Sequence, residues 1–401
     1  METNDQIEQS VLDDLIIKNQ PDSDELKEFF VKCSKHNVSD ILLQGGSKIW
    51  VERYGRQICV SKNIRLLKNK MEALVSELWG DHVRGALRQG KIFNTTFQMR
   101  GQEKDPYGLE RNQIFRARTN FTQATVNKES ETITATLRIL NSVIPDLLSL
   151  KIEKELFENL LPSSGLGIIG GSTGSGKTTL QASTLQYCGE HFIDRKVITF
   201  ECPVEYLLGG MKWISPEPAQ SEVGIDVPSF AEGIALSALR RAPKIISVGE
   251  LLEPKAMEAA ITAGESGHFC IGTEHISSVG EVFPRTLFMF PTEYREAIAF
   301  SFLKTLRYVV VQRLVKTLDG KREAVREFFI FDQEVKNFLL SKPYFEWGRL
   351  IDKKIANIGQ SIPQKSYELF KNDIISFEEM LQVAGTTLDY EKIKRGTYGN
   401  E

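Results

Sequence analysis

Hydrophobic positions along the chain follow two rhythms, and the change between them divides it. In the first part amphipathic helices alternate with runs of short strands. Asp22 to His36 carries Leu26, Phe29, Phe30 and Cys33 at helical spacing, with Ser23 or Asp22 able to cap it. Ser39 to Leu43, Ile49 to Arg53 and Gln57 to Val60 read as strands, the last two joined at Tyr54 and Gly55. Asn69 to Arg88 predicts one helix, with Met71, Leu74, Leu78 and Trp79 on one side. Ile92 to Met99, Gln113 to Phe121 and Thr132 to Leu140 predict three more strands, and the charged stretch Gly101 to Arg111 a loop. Residues 22–140 thus predict a small α+β domain. Residues 1–21 are charged and weakly periodic, which predicts a mobile or loosely docked arm. Residues 141–150, with Pro145, form the expected linker.

From Lys151 the pattern changes to apolar strands alternating with helices, which predicts an α/β fold with a parallel sheet and ligands at the carboxyl ends of its strands. The strands are Leu166 to Ile169, Val197 to Phe200, Ile245 to Val248 and Phe269 to Ile271. The helices between them are Lys177 to Tyr187, Ser229 to Arg241 and Pro254 to Ala263. After Pro291 come a helix (Glu293 to Thr305) and a β pair (Tyr308 to Val315, Arg322 to Phe331) turning at Asp319 and Gly320. Residues 151–343 make up this domain, and residues 344–401 a helical tail.

Composition narrows the function only slightly. The 401 residues are 41% hydrophobic and 26% charged with a net charge of −3, so no global basic field favours nucleic acid. The five cysteines, Cys33, Cys59, Cys188, Cys202 and Cys270, are scattered and form no C-x-x-C pair, which suits a reducing cytosol. The first residues carry no signal-peptide pattern, and no apolar run reaches the length of a membrane span. Membrane association is therefore expected only through a partner.

The chemistry centres on Gly165 to Leu180, G-L-G-I-I-G-G-S-T-G-S-G-K-T-T-L. Gly171, Ser172, Thr173, Gly174, Ser175, Gly176, Lys177 and Thr178 fit G-x-x-x-x-G-K-[ST] between a predicted strand and a predicted helix, and Thr179 follows. Glycines let the backbone N–H groups converge on phosphates, and the helix N-terminus adds positive partial charge. Lys177 would reach the β- and γ-phosphates of ATP, and the Thr178 hydroxyl would hold Mg²⁺. Hydrolysis also needs an acidic group at the end of a neighbouring strand. Ile245 to Val248 runs into Gly249 and Glu250, and Val197 to Phe200 into Glu201, Cys202, Pro203, Val204 and Glu205. A third stretch, A-G-E-S-G-H-F-C-I-G-T-E-H-I-S-S, ends a helix, crosses a strand and reaches His275, placed to sense a γ-phosphate. His268, Cys270 and His275 alone are too few for a zinc site.

Taken in order, G-S-T-G-S-G-K-T, F-E-C-P-V-E-Y, I-I-S-V-G-E and G-E-S-G-H-F-C-I-G-T-E-H-I-S-S resemble the nucleotide-site boxes of the secretion ATPases of type II and type IV systems. The PilT-like branch fits best, and within it the DotB group of type IVB systems and its conjugative-plasmid counterparts. The likeness includes the N-terminal S-D-I-L-L-Q and Gln312, Arg313, Leu314, Gly320, Arg322 and Glu327, so it covers roughly residues 23–340. It implies a RecA-like ATPase domain behind a PAS-like N-terminal domain, assembled as a homo-oligomer, a hexameric ring. It further implies Glu205 as the base that orients water, and Glu250 as support for Mg²⁺ and that water. His275, and with it His268, would respond to the γ-phosphate. Arg116, Arg118 and Arg138 would reach phosphates across the ring, a task suited to a permanent, forked charge. A hinge is expected near Pro145.

Four positions depart from the family pattern: Cys202 stands in place of Asp, Leu252 and Glu253 in place of Arg-Asp, and Glu274 in place of an apolar residue. The expected function is an Mg²⁺-dependent ATPase that energises a type IVB secretion or conjugation machine, cytoplasmic and docked on its inner-membrane base. A pilus-retraction motor is the alternative of the same class. A nucleotide-gated scaffold with little turnover is the alternative of another class, and a nucleic-acid translocase is disfavoured by the charge balance.

Overall fold

The computed structural model describes residues 13–53, 56–140, 143–396 and 398. The chain divides into two compact units, one ending at Val143 and the other beginning at Ile144. The expected turn at Tyr54 and Gly55 and the first twelve residues of the expected arm lie outside the described residues.

In the N-terminal unit, helix α1 (Ser23–Lys35) starts from a reciprocal cap. The Asp22 side chain accepts from the backbone N–H groups of Asp24 and Glu25, and the Glu25 side chain accepts from that of Asp22. Strands β1 (Val38–Gln44), β2 (Trp50–Arg53) and β3 (Arg56–Cys59) precede helices α2 (Lys68–Trp79) and α3 (Asp81–Arg88). Strands β4 (Phe93–Arg100), β5 (Ile114–Val126) and β6 (Glu129–Leu140) complete a six-stranded sheet of order β3-β2-β1-β6-β5-β4, antiparallel at every pairing. Strand alternation puts Ile41, Leu43, Phe115, Ala117, Phe121, Ala135 and Leu137 in the core beneath Leu26, Phe30, Leu74 and Val75. Phe30 meets Phe97 edge-on at 5.6 Å, and Trp79 meets Phe121 at 5.0 Å.

Two expectations change here. The single helix Asn69 to Arg88 is two helices, because Gly80 has φ +93° and a Cβ there would lie 2.8 Å from the His82 ring. The described part of the expected arm is also docked. Leu15 is buried, the Ile17 N–H donates to Val60 O at 2.8 Å, and Gln20 both donates to Arg65 O and accepts from the Leu67 N–H.

The C-terminal unit is built on a seven-stranded sheet. Helix α4 (Lys154–Asn159) leads to β7 (Gly165–Gly170), α5 (Lys177–His191), β8 (Val197–Glu201), β9 (Ala219–Glu222) and β10 (Ile245–Val248). Then follow α6 (Pro254–Glu265), β11 (Phe269–Glu274), α7 (Val282–Phe288), α8 (Arg295–Thr305), β12 (Leu306–Lys316) and β13 (Arg322–Ile330). The order is β13-β12-β7-β11-β10-β8-β9, parallel throughout except for the β12–β13 hairpin. Central β7 is buried at all six positions. Its alternating side chains feed two cores: Ile169 packs with Leu180, Leu185 and Cys188 of α5, and Ile168 with Met257, Ala260, Phe283 and Phe302. A mixed α/β fold with a largely parallel sheet is therefore observed. The expected helix Ser229 to Arg241 is instead a turn of α-helix, a π-helical stretch over Gly233–Ser237 and a 3₁₀ turn. Gly233 presses against the Phe200 ring in that wide turn.

The residues after Pro343 are a structural part of this unit. Trp347 and Ile351 of α10 (Trp347–Asn357), Ile362 of α11 (Ile362–Lys371), Met380 of α12 (Phe377–Ala384) and Ile393 of α13 (Thr387–Lys394) join the core that contains Ile168. Between β13 and α10 lies α9 (Gln333–Leu340). At the other end, Ser183 of α5 donates to Pro145 O at 2.7 Å, and Leu147 is buried in a 3₁₀ turn over Leu147–Leu150. At the expected hinge near Pro145, helix α5 thus holds the carbonyl of that residue.

Candidate nucleotide-binding site

Four parallel strands, β7, β11, β10 and β8, end at one edge of the sheet, and the residues singled out by the sequence leave from those ends. Register fixes the alignment, with Gly170 opposite Glu274, Gly272 opposite Val248, and Val248 opposite Phe200. The loop Gly171–Gly176 follows β7. Gly174 and Gly176 have φ +78° and +83°, so Gly176 enters α5 from a left-handed conformation and α5 has no side-chain cap. Its first backbone N–H groups are left for an anion, which is the arrangement a phosphate requires. Ser175 Oγ is buried and has no hydrogen-bond partner among the described residues. Lys177 Nζ donates to the carbonyl oxygens of Gly171 at 2.6 Å and Ser172 at 3.0 Å.

The acidic and histidine candidates share the electrostatic field of this lysine. Burial lowers the Lys177 pKa from its ordinary value, and the charges of Glu250 and Glu205 oppose that shift. Desolvation first, and then the positive charge of Lys177, lower the pKa of His275, so its ring is neutral at physiological pH. Lys177, Glu205, Glu250 and His275 are thus brought together. Thr178 lines a narrow crevice with Glu201, Gln220 and Ser247, and the Thr179 and Tyr206 hydroxyls are 3.0 Å apart. Gln181 of α5 donates to Val248 O and Ile271 O, tying the helix to the end of β10 and the middle of β11.

Glu201 was not among the chosen site residues, although it stands at the end of the same strand as Glu205. Burial raises its pKa, while Thr199, Gln220 at 3.1 Å and the Glu205 backbone N–H stabilise the charged form. Among the described residues no three His, Cys, Asp or Glu side chains converge to hold a metal by themselves. The Thr178 hydroxyl and the Glu201 carboxylate, which line the same crevice, are hard oxygen groups of the kind that could join phosphate in holding Mg²⁺.

His268 is the candidate that the fold separates from the rest. It precedes β11, and its carbonyl accepts from the Gly165 N–H at the start of β7, whereas the phosphate loop follows the end of β7. About 20 Å of strand lies between His268 and His275. Its assignment to the same chain's γ-phosphate is corrected accordingly. Arg116, Arg118 and Arg138 belong to the N-terminal unit, on the sheet face opposite its helices. Arg118 pairs across the strands with Arg138, whose Nε donates to Asp40 at 2.8 Å.

Carboxylates also brace the edge from behind. The Glu327 oxygens accept from the N–H groups of Val279 at 2.8 Å and Ile362 at 3.1 Å, and burial pushes its pKa up to about 7. Asp352 accepts from the Gly280 N–H at 2.7 Å and the Ser278 hydroxyl at 3.0 Å. The loop that follows His275 is therefore held from β13 and α10. Glu274, which departs from the family pattern, is fully buried, and desolvation pushes its pKa up to about 8. A neutral carboxyl there satisfies the apolar surroundings that the family pattern expects.

Residues 112–349 match the Type II/IV secretion system protein family. The X-ray structure of the ATPase DotB from Legionella pneumophila is similar with a TM-score of 0.80 and 31% identity, over 92% of this chain and 98% of that one. The pilus retraction motor PilT with bound ADP is similar with a TM-score of 0.76 and 25% identity, over 92% and 99%. The type IV pilus ATPase PilU of Pseudomonas aeruginosa is 30% identical over 254 residues, 63% of this chain and 65% of that protein. The chain thus spans just under two thirds of PilU in that match. A matched region of more than half the chain, centred on the phosphate loop and the strand ends just described, places this protein in the Type II/IV secretion system protein family.

Proposed function

We propose that this chain hydrolyses ATP to drive a type IVB secretion or conjugative DNA-transfer apparatus, working as a hexameric ring at the cytoplasmic base of the machine and docking on its inner-membrane components. The observation that carries the reading is the grouping of Lys177, Glu205, Glu250 and His275 at the edge where the phosphate loop meets α5. The likeness to DotB over nearly the whole of both chains supports the choice of machine. No helix among the described residues is long and apolar enough to cross a membrane, which accords with attachment through partners.

In this reading the loop N–H groups and Lys177 bind the phosphates of ATP and neutralise charge that builds on the γ-phosphate. Glu205 orients water and accepts its proton, while Glu250 and Thr178 would hold Mg²⁺. The ion, when bound, would polarise the β- and γ-phosphate oxygens. Neutral His275 donates a ring N–H toward the γ-phosphate. Arg118 and Arg138, with Arg116, reach the phosphates of a neighbouring copy.

Steady-state hydrolysis measured against protein concentration, with oligomer mass recorded on the same samples and Glu250→Gln as control, tests this reading. Turnover per subunit that rises as rings form and vanishes in the control supports it. Tight ATP binding without turnover in formed rings would favour a nucleotide-gated scaffold instead. The likeness to the pilus retraction motor PilT favours a second reading, a pilus retraction motor. A deletion strain that loses conjugation or secretion but keeps twitching supports the first, and the converse supports the second.

A further inference from the structure

We propose that Arg326 is a positioning residue that couples the phosphate loop to residues 147–151, the segment that enters this unit from the N-terminal side. The inference rests on the reading of Gly171–Thr178 as a nucleotide site.

The connection is a chain of direct contacts. Gln312 of β12 donates through Nε2 to Ser175 O, in the middle of the phosphate loop, at 2.7 Å. Its Oε1 accepts from Arg326 Nε at 2.8 Å. These two residues are directly opposed in the β12–β13 hairpin. The other end of the guanidinium donates to Leu150 O at 3.0 Å and to Lys151 O at 3.4 Å, and the Glu153 carboxylate stands 3.7 Å away.

Both side chains in the middle are buried, Gln312 at 3% and Arg326 at 3% exposure, so water cannot replace a broken link without cost. The loop also closes on Gln312 at two other points: a Cβ on Gly176 would lie 2.8 Å from Gln312 Nε2, and one on Gly171 would strike Gln312 O. Geometry makes the chain responsive as well as stiff. One primary amide has both its ends engaged, and one planar guanidinium spans three acceptors in a fixed fork. A shift of the Ser175 carbonyl as the loop wraps a phosphate displaces the amide, and the guanidinium transmits that displacement to the Leu150 and Lys151 carbonyls. A second tether runs in parallel, since Ser183 of α5 holds Pro145 O.

Two substitutions cut the chain at different links. Gln312→Glu still accepts from Arg326 and can no longer donate to Ser175 O, while Arg326→Lys can no longer span Gln312 and the two carbonyls together. The experiment is backbone hydrogen exchange over residues 147–151 in the full chain, with and without saturating AMP-PNP, together with the kinetics of ATP hydrolysis.

In the wild type, nucleotide is expected to slow this exchange. Gln312→Glu should keep the unliganded rate and lose the response. Arg326→Lys should exchange about tenfold faster and lose the response, with kcat about tenfold lower and KM within about twofold. If Arg326→Lys fails to fold, as judged by its melting curve, Gln312→Glu decides the matter. Wild-type protein that binds nucleotide without a change over residues 147–151 overturns the coupling and leaves the ATPase reading standing, as do variants that respond like the wild type. Wild-type protein that binds no nucleotide overturns both.

Discussion

Lys177 Nζ lies 2.6 Å from the carbonyl oxygen of Gly171, so the lysine is folded onto the loop it belongs to. The ammonium is held over the loop where phosphates would sit, and its burial makes loss of the charge costly to binding. Lys177→Ala is expected to reduce ATP turnover by about 10²–10³ while the melting temperature stays near that of the wild type. Hydrolysis that survives this substitution would show that the loop is not the phosphate site.

Glu205 and Glu201 leave the same strand end, but their surroundings differ. Both are half-buried, but the Glu201 carboxylate is engaged by Thr199 and Gln220, while Glu205 lies in the field of Lys177. Glu205→Gln is expected to lower kcat by about 10²–10⁴ with nucleotide affinity within about threefold. Full turnover in that variant would move the base to Glu250 or Glu201, and single-turnover rates of Glu250→Gln and Glu201→Gln would then decide between them.

Glu274 makes stability depend on pH. Its carboxyl titrates ordinarily near 4.5 and is pushed up to about 8 by burial, opposed by Thr286 and Arg285. Between those values the native state binds a proton that the unfolded chain releases. The contribution to stability is therefore complete below 4.5 and is lost as the pH rises toward 8. Glu327, pushed up to about 7, adds to the fall over the lower part of that range. Melting temperature is expected to drop from about pH 5 to about pH 8, and Glu274→Gln, which keeps the Thr286 contact, should flatten the slope. Equal slopes in the two proteins would mean that Glu274 is charged in the fold.

Arg118 and Arg138 are cross-strand neighbours, and Asp40 pairs with Arg138. If Arg118 serves a neighbouring copy, Arg118→Ala will lower turnover by about 10³ in assembled protein and leave nucleotide binding by dilute protein unchanged. Normal hydrolysis by rings of this variant excludes that contact.

Trp347 is fully buried and meets Phe283 edge-on at 5.7 Å, so α10 is tied to α7. Trp347→Ala is expected to cost about 3–5 kcal/mol in urea unfolding of the ATPase unit. A loss below about 1 kcal/mol would mean that the helices after Pro343 are dispensable to its core.

How far the sequence carried these conclusions depended on the reach of each signal. The phosphate loop was legible because glycines, lysine and threonine sit at fixed short spacing between an apolar strand and a helix, and Glu250 and His275 because each ends a recognisable strand. The break at Gly80 was not, since the helical pattern of apolar residues runs straight across it and only the positive φ marks it. Strand β9 escaped notice because Ala219–Glu222 is polar, half-buried and paired on one side only. His268 was misplaced because the signal showed a strand nearby without showing at which end of it the nucleotide lies. Gln312 and Arg326 join segments more than 130 residues distant from the loop in one direction and from the linker in the other, and no local pattern encodes such contacts.

One carboxylate, that of Glu327, holds the backbone just after His275 with one oxygen and the first turn of α11 with the other. A genetic screen would feel this as epistasis between places that look unrelated in the sequence. Suppressors of a weakened His275 should arise around Asp352 to Ile362 as readily as beside the histidine itself, and lengthening the turn between His275 and Val279 should be tolerated far less than lengthening the exposed turn at Asp319 and Gly320.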